Sequence, residues 1–432
     1  MLLVVGALVA AACTSATTNG TLAAPVVADI DSVAVWYMRT RSIPGLSIAL
    51  VRDGDLLLSR SYGFATLDPD SVRVDSGTLF ELGSIKKPVT AVAILRLVER
   101  GTLSLDDPVQ RWAASIQVPD PPVRLRDMLH QVSGLPADVD DDDVIDHLDF
   151  PPGTRWAYRN ANFDRLDEVI HAATGLDFTS YLSTRLTGPL GLTSLGMCHP
   201  GDPRPPDLAR GYVLQDGRLE AVEDPCWFRG TPRDLALWVD ALFNGRVLGD
   251  AALDDMLEPA VLADGRVVDY GLGVALRPHR GVRRYSHTGH VDGFAASFGY
   301  YPDSGVAIAV AANSESLFDP DGLEMAIADI LLGLRDTEEV RAFAGDSRRL
   351  TGSWVADGIT FELASGADGT LRMAMRPGGG RAFMATRLRP AGPFRFVGVD
   401  SPDAVALQLN RADPTRAVIY VVGIPWDVTR EP

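Results

Sequence analysis

Residues 81–100 read ELGSIKKPVTAVAILRLVER. After Pro88 the polar positions are few: Thr90, Arg96, Glu99 and Arg100. A helix that is apolar on nearly every side is buried in the middle of a domain. The pattern therefore predicts a central helix from Ser84 to Arg100, stopped by Gly101. Pro88 is tolerated this near a helix start. Ser84 and Lys87 stand at i and i+3 and share one face. Ser84 also opens the helix, where unpaired N–H groups and the helix dipole favour negative charge. That suits a hydroxyl whose attack on a carbonyl creates an oxyanion. Lys86 points elsewhere and is expected in solvent. Taken alone, Ser-x-x-Lys is equally an N-cap serine followed by a surface lysine.

The basic residues single out the same spot. Of 40 Lys plus Arg, every one is arginine except Lys86 and Lys87. Codon usage in a GC-rich genome explains the scarcity of lysine elsewhere. Arginine stays protonated in a protein, while lysine can be tuned into a base. The chain has 432 residues, 46% hydrophobic and 22% charged, which suits two packed domains. A net charge of −17 argues against a broad basic face for nucleic acid or anionic lipid.

The N-terminal run MLLVVGALVAAA is too short to span a bilayer. It reads as the apolar region of a signal peptide. The small residues leading into Cys13 resemble a bacterial lipoprotein cleavage site, although no basic residue precedes the run; an ordinary secretory signal is the other reading. Residues 1–25 are thus expected to be signal and tether. The protein is expected to be exported to the bacterial envelope or medium, with membrane attachment only through a lipid on Cys13. In such a protein Cys198 and Cys226 tend to be bridged, and their spacing permits it. Cys198-His199 lacks the repeated spacing of a zinc site, and the pair His287 and His290 has no acidic or cysteine ligand beside it. No metal and no cofactor are expected.

Outward from the helix, residues 26–41 have helical periodicity. Gly45 to Val51 and Leu56 to Tyr62 read as two strands joined by an Asp53-Gly54 turn. Residues 102–260 read as helices and Pro-rich loops, with Asp140 to Asp143 as a solvated loop. Strands resume after Tyr270-Gly-Leu-Gly273. Arg283 to Ser286 is extended, and Phe294 to Tyr301 pairs with Val306 to Ala312 across a Pro-Asp-Ser-Gly turn. A helix from Gly322 to Leu334 follows. From Leu350 the texture changes to short strands parted by Gly, Asp and Pro, so residues 346–432 are expected to form a separate small antiparallel β domain, and 26–345 the main one.

Two further clusters carry chemistry. In PPGTRWAYRN, Tyr158 and Asn160 are two apart and project to one side of an extended loop. A phenol can relay a proton, and an amide can hold an ammonium or a carbonyl. In RRYSHTGHVDGF, His287-Thr288-Gly289 falls on a strand edge where glycine lets a substrate backbone lie close.

In this order, Ser84-x-x-Lys87, Tyr158-x-Asn160 and His287-Thr288-Gly289 resemble the signature of the serine β-lactamase and penicillin-binding superfamily. The Tyr-x-Asn element resembles the branch of class C β-lactamases, D-alanyl-D-alanine carboxypeptidases and family VIII esterases. LHQVSGLP at 129–136, PPGTRWAYRN at 151–160 and YGLG at 270–273 agree. The resemblance spans residues 30–335. It implies an α/β (α+β) fold of the β-lactamase/transpeptidase kind: an antiparallel sheet flanked by helices, an all-helical lobe, and a cleft between them. The C-terminal β domain resembles barrels appended to some relatives.

The resemblance also implies a mechanism. Ser84 attacks a carbonyl and becomes acylated. Lys87 takes or orients the serine proton, acting in its neutral form, which burial favours. Tyr158 relays the proton to the leaving group and activates the deacylating water. Asn160 binds the substrate amide, and Thr288 and Gly289 line its path. The N–H groups of Ser84 and His290 form an oxyanion hole, each donor worth about 10²–10³ in rate. Class C β-lactamases usually carry lysine where His287 stands, so less fixed charge faces a substrate carboxylate. Arg277, on the preceding segment, is a candidate to supply that charge, or else a surface residue. Peptidase or esterase activity therefore ranks above β-lactam hydrolysis. The expected partner is a small molecule or peptide: a β-lactam, a D-amino-acid peptide or an ester. The alternative is a penicillin-recognising sensor or binding protein with little turnover.

Overall fold

A computed structural model describes residues 22–431 apart from 68, 119, 138, 140–142, 199–202, 216–217, 223–225, 315–319, 335–344, 357–358, 367–369, 378–383, 393–394, 399–404, 411–412, 414 and 422–423. The signal and Cys13 expectations, and Asp140 to Asp142 of the acidic run, lie outside the described residues.

The main domain is built from both ends of its sequence. Helix α1 (Ala24–Arg41) leads into β1 (Gly45–Arg52) and β2 (Asp55–Thr66), with β3 (Val72–Arg73) at the edge. Asp53 and Gly54 both take positive φ, 52° and 85°, the twist-matched turn for a two-residue hairpin. Far along the chain come β4 (Tyr285–Val291), β5 (Phe294–Tyr301) and β6 (Val306–Ala312). Together they form one antiparallel sheet in the order β4-β5-β6-β1-β2-β3. Leu46 lies opposite both Ala312 and Tyr62, so β1 zips the early and late halves together.

The sheet is covered on both faces, as its uninterrupted apolar strands require. Val306, Ile308, Val310 and Ala312 face a core completed by α1 and α5 (Pro320–Leu332). The alternate residues Ala307, Ala309 and Ala311 face the larger core. That core holds α2 (Lys86–Glu99), α3 (Asn160–Thr174) and α4 (Pro232–Phe243). In α2 every side chain from Lys86 to Leu95 is buried, as the apolar pattern demands.

Two details differ from expectation. Ser84 is not in the α-helix itself but in a 3-10 turn, Gly83–Ile85, that feeds α2; the Ile85 N–H bonds back to the Leu82 carbonyl. The insert between the halves also holds small sheets: Phe80–Glu81, Gly196–Met197 and Phe228–Gly230 pair in one, and Tyr212–Gln215 with Arg218–Ala221 in another. Strands of two to four residues are too short to show a period. Cys198 and Cys226 are disulfide-bonded beside the first of these sheets, with Cα atoms 5.3 Å apart.

Asp346 caps a short turn, Ser347–Leu350, that leads into the last unit. Its strands are β7 (Gly352–Ala356), β8 (Ile359–Ser365), β9 (Leu371–Pro377), β10 (Met384–Gly392), β11 (Arg395–Gly398), β12 (Val405–Leu409), β13 (Arg416–Val421) and β14 (Ile424–Arg430). They close into a barrel, with Trp354 of β7 opposite Arg430 of β14 at the seam. Trp354, Phe361, Leu371, Phe396, Leu407 and Ile419 fill it, so it is packed rather than hollow.

Candidate active site

The serine and the lysine meet as the i, i+3 spacing requires. Lys87 Nζ donates to Ser84 Oγ at 3.1 Å and to Asn160 Oδ1 at 2.8 Å. Lys87 Nζ also sits over the Tyr158 ring, 4.7 Å from its centroid, and 5.9 Å from that of Phe163. Lys87 is 6% exposed, and Ser84 is half-buried. A half-buried hydroxyl and a buried amine are thus held in hydrogen-bond reach.

Lys86 is a correction. It is not in solvent but 9% exposed, with Nζ 2.9 Å from both carboxylate oxygens of Asp167 on α3 and 4.6 Å above the Phe178 ring. The two lysines leave opposite faces of the helix start, and the second face also meets packed protein.

Edge strand β4 forms the facing wall. Its backbone runs hard against the serine turn. A Cβ on Gly83, which has φ 50°, would stand 2.8 Å from the His290 nitrogen. A Cβ on Gly289 would stand 1.8 Å from the Leu82 carbonyl oxygen and 3.2 Å from the Ser84 nitrogen. Two glycines are therefore required for the approach of the Gly289–His290 backbone to the Gly83–Ser84 turn. Thr288 lies between, half-buried.

His287 is 4% exposed. Its Nδ1 is 2.6 Å from the Thr288 carbonyl and must donate to it, so Nε2 accepts from the Tyr270 hydroxyl at 3.1 Å. Burial first, and the charge of Lys87 second, push the imidazole down to about 3. His290 is pushed down to about 4 by burial. Burial, with Tyr158 adding to it, drives the Tyr270 phenol well up. The wall opposite Ser84 is thus neutral at ordinary pH, and His287 offers no fixed positive charge.

Tyr158 comes from a loop, not from a helix. Its ring centroid is 6.3 Å from Trp156 and 6.4 Å from His287. Trp156 packs edge-on against Tyr270 at 5.7 Å and against Trp426 of β14 at 6.5 Å. Tyr158 itself packs against the barrel core. The loop backbone is strapped to Gln131: the Ala157 N–H donates to the Gln131 carbonyl, and the Arg159 N–H to Gln131 Oε1, both at 2.9 Å.

The fold therefore gathers Ser84, Lys87, Tyr158, Asn160, His287 and the Gly289–His290 backbone. Arg277 is half-buried on the segment before β4. Ala275, two residues before it, bridges antiparallel to Ser286. Sequence reading missed Trp156, Gln131 and Trp426. Gln131 lies inside LHQVSGLP, which was a visible signal; Trp426 lies in a strand some 270 residues from Trp156 and had none.

Comparison with known proteins identifies the family and the fold. The beta-lactamase family model matches residues 30–332, and the chain belongs to that family. Penicillin-binding protein 4* of Bacillus subtilis is 26% identical over 310 residues, 62% of this chain and 68% of that protein. Protein flp of Staphylococcus aureus is 26% identical over 244 residues, and the match spans 50% of this chain and 48% of that protein. Among solved structures, the octameric penicillin-binding protein homologue from Pyrococcus abyssi superimposes with TM-score 0.66 at 20% identity over 93% of this chain and 100% of its own. The D-amino acid amidase of Ochrobactrum anthropi, complexed with D-phenylalanine, gives 0.62 at 21% over 72% and 100%. The mixed α/β fold with an appended all-β barrel is that of penicillin-binding protein homologues.

Proposed function

We propose that this chain is a serine hydrolase that cleaves an amide or ester through an acyl-enzyme on Ser84. The observation that carries the reading is the contact of Lys87 with both Ser84 and Asn160, beside a β4 backbone that lies hard against the serine turn. Ser84 Oγ adds to the carbonyl while Lys87 Nζ, within hydrogen-bond reach, takes or orients its proton. Tyr158, stacked over that amine, hands a proton to the leaving group as the carbonyl re-forms. Water then attacks the ester with Tyr158 as base, and the proton returns to Ser84. The Ser84 and His290 N–H groups hold the oxyanion. Asn160 both anchors Lys87 and faces the substrate amide.

A neutral His287 favours acyl donors that lack a carboxylate beside the scissile bond: amides or esters of small acyl groups, D-amino acid derivatives included, before β-lactams. Export to the envelope remains our reading of the N-terminus, and the Cys198–Cys226 disulfide supports it.

The test is a burst experiment with p-nitrophenyl acetate, with mass spectrometry of the quenched protein, followed by a panel of D-amino acid amides, D-Ala-D-Ala peptides and a chromogenic cephalosporin. We expect one acyl group per chain on the Ser84 peptide and no burst in Ser84→Ala. Turnover retained by Ser84→Ala on every substrate the wild type cleaves would overturn the mechanism. Stoichiometric labelling by a fluorescent penicillin without turnover would instead mark a sensor.

A further inference from the structure

Gln131 is wholly buried, yet it carries a positive φ of 62°, a region glutamine rarely adopts. Its carboxamide is fixed from outside. Oε1 accepts from the Arg159 N–H at 2.9 Å and from Asn162 Nδ2 at 2.6 Å. Asn162, 0% exposed, accepts through Oδ1 from Ser133 Oγ at 2.5 Å, and Ser133 Oγ accepts from the Leu135 N–H at 3.1 Å. Two donors on Oε1 settle the orientation of the amide, which leaves Nε2 buried with no partner among the described residues. A buried side chain that keeps both a strained backbone and an unpaired donor is held there by something other than its own stability.

What it holds is the loop on either side of Tyr158. The backbone carbonyl of Gln131 takes the N–H of residue 157, and the side-chain carbonyl takes the N–H of residue 159. The two hydrogen bonds bracket the tyrosine by one residue each way. Both carbonyls of this one left-handed residue thus accept from the same stretch of loop.

We infer that Gln131 is a positioning residue for Tyr158, setting the phenol over the Lys87 amine through this two-point grip. The inference rests on the acyl-enzyme reading above. Methionine matches glutamine in length but offers no acceptor, and it leaves the Arg159 and Asn162 donors unpaired. Glutamate keeps the acceptor.

The experiment measures burst and steady-state kinetics with p-nitrophenyl acetate for wild type, Gln131→Met, Gln131→Glu, Tyr158→Phe and the double variant Gln131→Met/Tyr158→Phe. Melting curves are recorded for each. Since misplacing a catalytic group by an ångström can cost about 10²-fold, we expect Gln131→Met to lower kcat by about 10- to 100-fold with KM within about threefold. Gln131→Glu should recover most of that loss. The double variant should be no slower than Tyr158→Phe alone, because the grip has nothing left to position. Equal, multiplying losses in the double variant, or kcat in Gln131→Met within twofold of wild type, would overturn the inference. If Gln131→Met does not fold, Gln131→Glu decides alone: with its acceptor intact it must keep kcat within about fivefold and KM within about threefold. Absence of any Ser84 adduct in wild type would instead sink the functional reading.

Discussion

Ser84 and Lys87 are joined by one turn of continuous backbone at the head of α2, and every side chain of that helix from Lys86 to Leu95 is buried. Tyr158, across the cleft, sits on a loop. It is held by hydrogen bonds to Gln131, by the Trp156 ring and by the barrel. One side of the site is placed by local geometry and the other by residues remote in sequence. The serine side is thus set once α2 is packed, while the tyrosine side depends on several independent supports, each of which can fail separately.

The largest expected effect tests the local side. Lys87→Met keeps the bulk of the side chain and removes the amine, and it should lower kcat/KM by at least about 10⁴-fold, read by initial rates and by loss of the acyl burst. A loss under tenfold would mean that the i, i+3 pair is a structural contact. Next, Tyr158→Phe should cost about 10²–10⁴-fold, with deacylation the slower step when single-turnover phases are resolved. If it left both phases unchanged, the tyrosine side would hold no catalytic group.

A third prediction concerns the wall behind both. His287, His290 and His130 are pushed down to about 3, 4 and 4, burial being the main cause in each. Their pKa values are lower folded than unfolded, so the unfolded chain binds more protons below about pH 6.5. Stability is therefore present in full above that pH. As pH falls toward 4, each histidine subtracts up to about 1.4 kcal/mol per pH unit. Denaturant melts at pH 7, 6, 5 and 4 should show this slope, and in the folded protein His287, His290 and His130 should stay neutral between pH 5 and 8. A flat stability profile would show that the wall is wetter than its packing implies.

The smallest effect separates the neighbouring lysines. Asp167→Ala leaves the Lys86 ammonium, whose side chain is 11% exposed, without its carboxylate. The carboxylate is itself 34% exposed, so the cost is limited to about 1–2 kcal/mol. Turnover should stay within about threefold, because Lys86 faces α3 rather than Ser84. A loss as large as that of Lys87→Met would erase the distinction between the two lysines.

The contrast also explains what the sequence revealed. The buried helix, the Asp53-Gly54 hairpin and the β5–β6 hairpin follow from periodicity and turn chemistry, which are local. So does the meeting of Ser84 with Lys87. The assembly of β1 against β6 could be anticipated only through the order of the three motifs, because Ala312 lies 266 positions after Leu46. The burial of Lys86 was missed because its partner, Asp167, is one acidic residue among 57 and lies on a different helix. The support of Tyr158 by Trp426 was missed for the same reason, since packing between two domains leaves no period in either.

The barrel closes when β14 pairs with both β13 and β7, and it is β14 that carries Trp426 to Trp156. In order of synthesis this strand emerges after every other strand of the barrel. The main domain can assemble its sheet and helices earlier, with Ser84 and Lys87 already in register. The aromatic backing of Tyr158 arrives only with the final strand. The chain therefore carries a built-in delay: the Ser84–Lys87 turn is made of residues synthesised early, whereas the aromatic backing of Tyr158 waits for the last strand of the barrel.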